Sequence, residues 1–181
     1  MSDVATTSAN TGAQVDDSSL TEEKLAEYEE LANEKDLLLL ESLSSDQEQE
    51  GYSLMSLPEG EYYSLSVTNY KQETGYWCGP ASVRQSLSFH KTKSGSSTSL
   101  PSQTTLASKA GTTSDGSTTT GLVTALNNYK STYGLSGNPY VAADIENASN
   151  PQSTFETRIK GVLKDQTNAP ILLIQTKYLN R

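Results

Sequence analysis

A single cysteine, Cys78, stands in a chain of 181 residues, inside the stretch QETGYWCGPAS over residues 72–82. One cysteine excludes an internal disulfide framework, so the chain must fold on an ordinary apolar core, and the thiol is either a small buried residue or a reactive group. The core on offer is modest: the hydrophobic fraction is 34% and charge is 19%, the balance being Ser, Thr, Asn, Gly and ten Tyr. A length of this order fits one domain plus additional segments. The uncharged polar style is common outside cells and sets the expectation of an extracellular or cell-surface protein, although Met1 is followed by SDVATTSANTG and not by the basic and apolar regions of a secretory signal. No run approaches the roughly 18 apolar residues of a membrane span.

Charge divides the chain. Residues 1–60 carry fifteen Asp and Glu against Lys24 and Lys35, a net of −13, whereas residues 61–181 carry eleven Lys and Arg against seven acids, a net of +4. An acidic leading segment and a mildly basic body can attract each other; a solvated acidic tail is the plainer reading. Nucleic acid is not an expected partner, because the basic residues are scattered and form no stripe beside an aromatic platform.

Residues 1–18 are aperiodic and rich in Ser, Thr, Asp and Ala, and read as disordered. Ser19 and Glu22 form a capping box, and the apolar spacing that follows predicts a helix over about 20–43, with SSDQEQEGYS as a linker. The alternation in EYYSLSVTNYKQ, residues 61–72, predicts a half-buried strand. Pro80 suits a first helical turn, so a helix is expected from Cys78 to about Phe89, placing the thiol at its N-terminus. A short helix capped by Ser102 and stopped at Gly111 comes next, and another capped by Thr119 or Thr120 runs to near Tyr133. Ser153 and Glu156 make a second capping box over a helix expected to bury Phe155, Ile159, Val162 and Leu163. The run APILLIQT, residues 169–176, reads as a buried strand.

The chemistry gathers around Cys78. A helix N-terminus favours thiolate through its free N–H groups and dipole, so the position is expected to lower the thiol pKa. The amide of Gln72, six residues upstream, can reach the oxygen of a tetrahedral intermediate alongside the Cys78 N–H. Other motifs offer less. Cys78 and the one histidine, His90, are too few for a structural zinc site. Asp144 and Glu146 share a face as solvated carboxylates, SGSSTS has no phosphate-cradling Gly and Lys pattern, and Asn147-Ala148-Ser149 matches a glycosylation acceptor that arises commonly by chance. No cofactor or metal is implied.

Gln72 followed by Cys78-Gly79 opening a helix resembles the Gln and Cys of papain-clan cysteine peptidases. The ordered set YWCGPAS, LPSQTTLASKAGT, DGSTTTGLVTALNNY and APILLI is similar to the bacterial peptidase family 39-like group, whose relatives include peptidases that remove double-glycine leaders, and the resemblance covers about residues 61–181. It implies an α+β papain-like fold preceded by an acidic helical segment, with Cys78 as nucleophile, Gln72 as oxyanion donor and a peptide or protein as substrate. In that family the base is a His on a strand after the APILLI-type strand. His90 lies twelve residues beyond Cys78 on the same expected helix, about 18 Å away at 1.5 Å per residue, and reads as a solvent-facing residue at a helix C-terminus. The expectation is therefore a domain incomplete at its C-terminal sheet, with the catalytic His beyond Arg181, an unpaired apolar edge at residues 169–176 that invites aggregation, and an N-terminal segment serving as pro-region or inhibitory cap. A degenerate pseudo-enzyme, a non-catalytic peptide-binding module of the same fold and an acyl-transfer enzyme are the alternatives. A His encoded after Arg181 separates the first two from a peptidase; an amine acceptor outcompeting water marks the third.

Overall fold

Helix α2, Cys78–Ser94, is the element against which the two helices that follow it pack. The computed structural model describes residues 13–14, 22–50, 63–145 and 148–174. Before α2 come a two-residue strand β1 (Ala13–Gln14) and the long helix α1 (Glu22–Glu50); after it come α3 (Gln103–Lys109), β2 (Ser117–Thr118), α4 (Thr119–Asn127), a 3-10 turn (Ser131–Tyr133) and α5 (Pro151–Lys164). Strands β1 and β2 pair in parallel, Ala13 opposite Ser117 and Gln14 opposite Thr118. The core lies among α2, α3 and α4, where Val83, Leu87, Leu106, Ala125 and Leu126 are buried together with Tyr133 and Tyr140. Two glycines make this packing possible: a Cβ on Gly121 would lie 2.2 Å from the Ala110 carbonyl oxygen, and one on Gly79 would lie 2.7 Å from Ser117 Oγ.

Several boundaries differ from the sequence expectation, each for a local reason. Helix α2 runs past Phe89 because Lys and Thr residues sustain it until Gly95, at φ 65°, closes the end with N–H bonds to Lys91 and Thr92 carbonyls. Helix α1 extends to Glu50, through residues read as linker; their Asp, Gln and Glu side chains are compatible with helix. The Ser19 cap and residues 51–60 lie outside the described residues, as does all of 1–18 except β1. Helix α4 is capped by Thr118, whose Oγ1 accepts from Gly121 N. Helix α5 is capped by Asn150, whose Oδ1 accepts from Ser153 N, with Pro151 opening the first turn; Glu156 meanwhile accepts from Gln152 Nε2. The Ser153–Glu156 capping box is thus replaced by an Asn–Pro start one turn earlier. Phe155 is exposed, and of α5 only Gly161 is fully buried.

Neither expected strand carries a sheet ladder among the described residues. Residues 63–72 are tied instead to helix side chains: Thr68 N donates to Ser88 Oγ at 3.2 Å, and Gln85 Nε2 donates to the Tyr70 carbonyl at 3.0 Å. In the APILLI run Ala169 is buried, but Leu172, Leu173 and Ile174 are exposed by 45–56%, because no described strand lies beside them.

Helix α1 packs along α5. Asp36 grips Arg158 through two nitrogens, at 2.8 Å from Nε and 2.6 Å from Nη2, and Lys35 Nζ donates to the Pro139 carbonyl at 3.0 Å. Among the described residues no helix is long and apolar enough to cross a membrane.

Candidate active site

The turn at 73–77 delivers the chain into α2 with Trp77 as its N-cap, and Trp77 offers no side-chain bond to the helix. The first intrahelical bond runs from Ala81 N to the Trp77 carbonyl at 3.0 Å, and Pro80 has no N–H to satisfy. The backbone N–H groups of Cys78 and Gly79 are thereby left to face the Cys78 sulfur, where they favour the thiolate. Burial outweighs them: desolvation pushes the Cys78 thiol above its ordinary pKa. The sequence expectation of a lowered pKa is corrected on this point. A half-buried thiol at this helix start is mainly protonated at neutral pH and needs a proton acceptor before it can attack.

Gln72 is exposed, and its Nε2 donates to the Thr74 carbonyl at 2.9 Å, within the turn that precedes Cys78. The amide nitrogen carries a second hydrogen, which this bond does not use. What fixes the Gln72 backbone is Gln103, a residue that motif reading did not single out. Gln103 is 1% exposed; its Nε2 donates to the Lys71 carbonyl at 2.7 Å and its Oε1 accepts from Glu73 N at 3.0 Å. One buried side chain thus clamps the residues on either side of Gln72. The segment is held further by Arg84 on α2, whose guanidinium sits 4.5 Å over the Tyr70 ring and 3.9 Å from a Glu73 carboxylate oxygen. A Gln at the first position of a short capped helix looks like a surface residue in sequence, so the only signal was its place directly after the Ser102 cap.

His90 is on α2, as expected, but it is buried at 1% exposure and not at the solvent-facing end of the helix. The reason is the helix extension beyond Phe89, which turns His90 into an interior position facing Tyr140 and Asn168. Asn168 Oδ1 also accepts from Ala169 N, so it acts as an acceptor, and His90 Nε2 donates to it at 2.8 Å. The same ring nitrogen lies 2.7 Å from Tyr140 Oη. Ser86 Oγ donates to the Ala169 carbonyl at 2.7 Å, which leaves the Tyr140 hydroxyl to donate to Ser86. Burial lowers the His90 pKa, with Lys93 adding to the effect and the Asn168 bond opposing it, while burial raises that of Tyr140. The imidazole therefore sits neutral in a closed network, twelve residues and about 18 Å along the helix from Cys78. The structure does not bring Cys78 and His90 together.

Among the described residues no group of three His, Cys, Asp or Glu could hold a metal ion. Asp144 is exposed, and Glu146 and Asn147 lie outside the described residues. A cleft of about 430 Å³ opens between residues 65–67, α2, α5 and residues 169–172, with Val67, Gln85, Ile159 and Leu172 on its walls, and Cys78 is not one of its lining residues. Residues 64–178 match the model of the Peptidase_C39 like family, more than half of the chain. No curated protein and no solved structure matches it.

Proposed function

The chain belongs to the Peptidase_C39 like family, and from that premise we propose that residues 61–181 belong to a papain-like α+β cysteine peptidase domain acting on peptide or protein substrates. The observation that carries the reading is the placement of Cys78, with its own N–H and that of Gly79 facing the sulfur. In the proposed reaction the Cys78 sulfur, relieved of its proton, bonds to the scissile carbonyl carbon. The carbonyl π pair moves to oxygen, where the Cys78 N–H and the Gln72 amide receive the negative charge. Collapse expels the amine, which takes up a proton, and leaves a thioester; water then adds to the thioester and releases the acid and the thiol.

His90 is committed to Tyr140 and Asn168, so the proton acceptor in this reading is a group other than His90. That supplies the test. Imidazole added to the buffer is expected to bring about hydrolysis of a fluorogenic peptide in proportion to its concentration, and Cys78→Ala to abolish it. Turnover that stays at background at every imidazole concentration would withdraw the peptidase reading. The second reading, a peptide-binding module without catalysis, is favoured by one observation, the engagement of the one histidine, His90, with Tyr140 and Asn168 and not with Cys78; binding of peptide without imidazole-dependent cleavage would select it. Acyl transfer uses the same thioester and would show as an amine acceptor outcompeting water. An extracellular setting accords with the uncharged polar composition.

A further inference from the structure

The N-terminal arm touches the body at a place that bears on the site. Strand β1 reaches across more than a hundred residues of sequence to lie parallel to β2, in the register Ala13 to Ser117 and Gln14 to Thr118. Strand β2 is the stretch that packs against the first turn of α2, for Ser117 Oγ would be 2.7 Å from a Cβ on Gly79, the residue next to Cys78. Its other neighbours are already fixed: Ser117 Oγ is within hydrogen-bond distance of Thr112 Oγ1 at 2.8 Å, and Thr118 Oγ1 caps α4. What β2 offers to an incoming chain is its backbone edge, the chemistry by which an extended peptide adds to a sheet.

A two-residue pairing is too short to hold on its own. It is held in cis. Helix α1 is fastened to the body by the Asp36–Arg158 fork and by Lys35 on the Pro139 carbonyl, and seven residues separate β1 from the start of α1. The pairing is therefore intramolecular, which can seat a weak strand that would not bind as a free peptide at micromolar concentration.

We propose that the backbone edge of Ser117–Thr118 is a docking edge for extended peptide next to Cys78, and that Ala13–Gln14 occupies it in cis, so that the N-terminal arm and an incoming peptide compete for it. The competition with substrate rests on the peptidase reading; the docking edge does not. The arm acts as an intramolecular blocker, and the partner it gives way to is a stretch of unfolded polypeptide read through its backbone.

The test uses the full chain. In the Ala13→Pro, Gln14→Pro double variant both strand N–H groups are gone. Amide exchange at Ser117 and Thr118 is expected to quicken at least tenfold relative to the wild type, with α2 amides unchanged as the control for folding. A synthetic peptide of residues 9–18 is expected to bind the double variant and slow that exchange again, while leaving the wild type, whose edge is filled, without detectable binding at the same concentration. Equal exchange in the two proteins, or a peptide that binds neither, would overturn the proposal. Neither readout needs hydrolysis, so an inactive chain that still shows the exchange difference loses the peptidase reading and keeps the edge.

Discussion

Gln103 and His90 are buried polar residues whose roles are set by partners distant in sequence. Gln103→Leu keeps the volume of the side chain but leaves the Lys71 carbonyl and the Glu73 N–H without their partner. The expected loss is about 1–3 kcal/mol, read as a lower urea midpoint with faster exchange of the Glu73 amide; an unchanged midpoint would show that the clamp is not energetic. For His90 the sign follows from its lowered pKa in the folded chain. The unfolded chain takes up the proton first as pH falls through about 6.5, so the stability that neutral His90 contributes is full above that value and is lost below it. The fall in melting temperature between pH 7 and pH 5.5 is therefore expected to be smaller in His90→Gln than in the wild type, and an equal fall would contradict the assignment. The start of α2 at Cys78 was legible because Gly79 and Pro80 announce a turn into a helix. The burial of His90 was not, since Tyr140 and Asn168 lie 50 and 78 residues away from it in the chain.

Helices were the readable elements and strands were not. Apolar spacing places α2, α3, α4 and α5 in order, yet their ends depend on single residues: Gly95 rather than Phe89, Asn150 rather than Ser153. Alternation over residues 61–72 reports only in part which side chains face inward: Tyr63 and Leu65 are half-buried on either side of exposed Ser64, but Val67, expected on the same face, is 39% exposed. It does not report what the backbone bonds to, and here that role falls to Ser88, Gln85 and Gln103. The contact between α3 and α4 is equally invisible in sequence because it concerns a missing side chain. Gly121→Ala would drive a methyl to 2.2 Å from the Ala110 carbonyl, a backbone atom that cannot swing away. A loss of about 1–3 kcal/mol is expected, measured as a lower thermal midpoint. Gly75→Ala, with nothing within 4 Å of its Cβ, serves as the comparison and is expected to leave the midpoint nearly unchanged.

At the scale of the whole molecule, the charge division has a structural counterpart in α1 lying on α5, with the Asp36–Arg158 ion pair joining them. Apolar side chains remain open to solvent on both parts, Leu37 and Leu38 on α1 and Leu172 to Ile174 beyond α5. The body, residues 64–178, carries the family match, and the thiol it presents at the start of α2 is the centre of the account. The measurement that tests it most directly is acylation of the full chain by a peptidyl p-nitrophenyl ester with imidazole present as the proton acceptor, followed by intact mass and by release of nitrophenol above that of Cys78→Ala. One acyl group on Cys78 is expected, with Cys78→Ala unmodified and Gln72→Ala acylated about a hundredfold more slowly, the scale of a lost oxyanion donor. Acylation that is absent, or that proceeds equally in either variant, would contradict the assignment of Cys78 and Gln72.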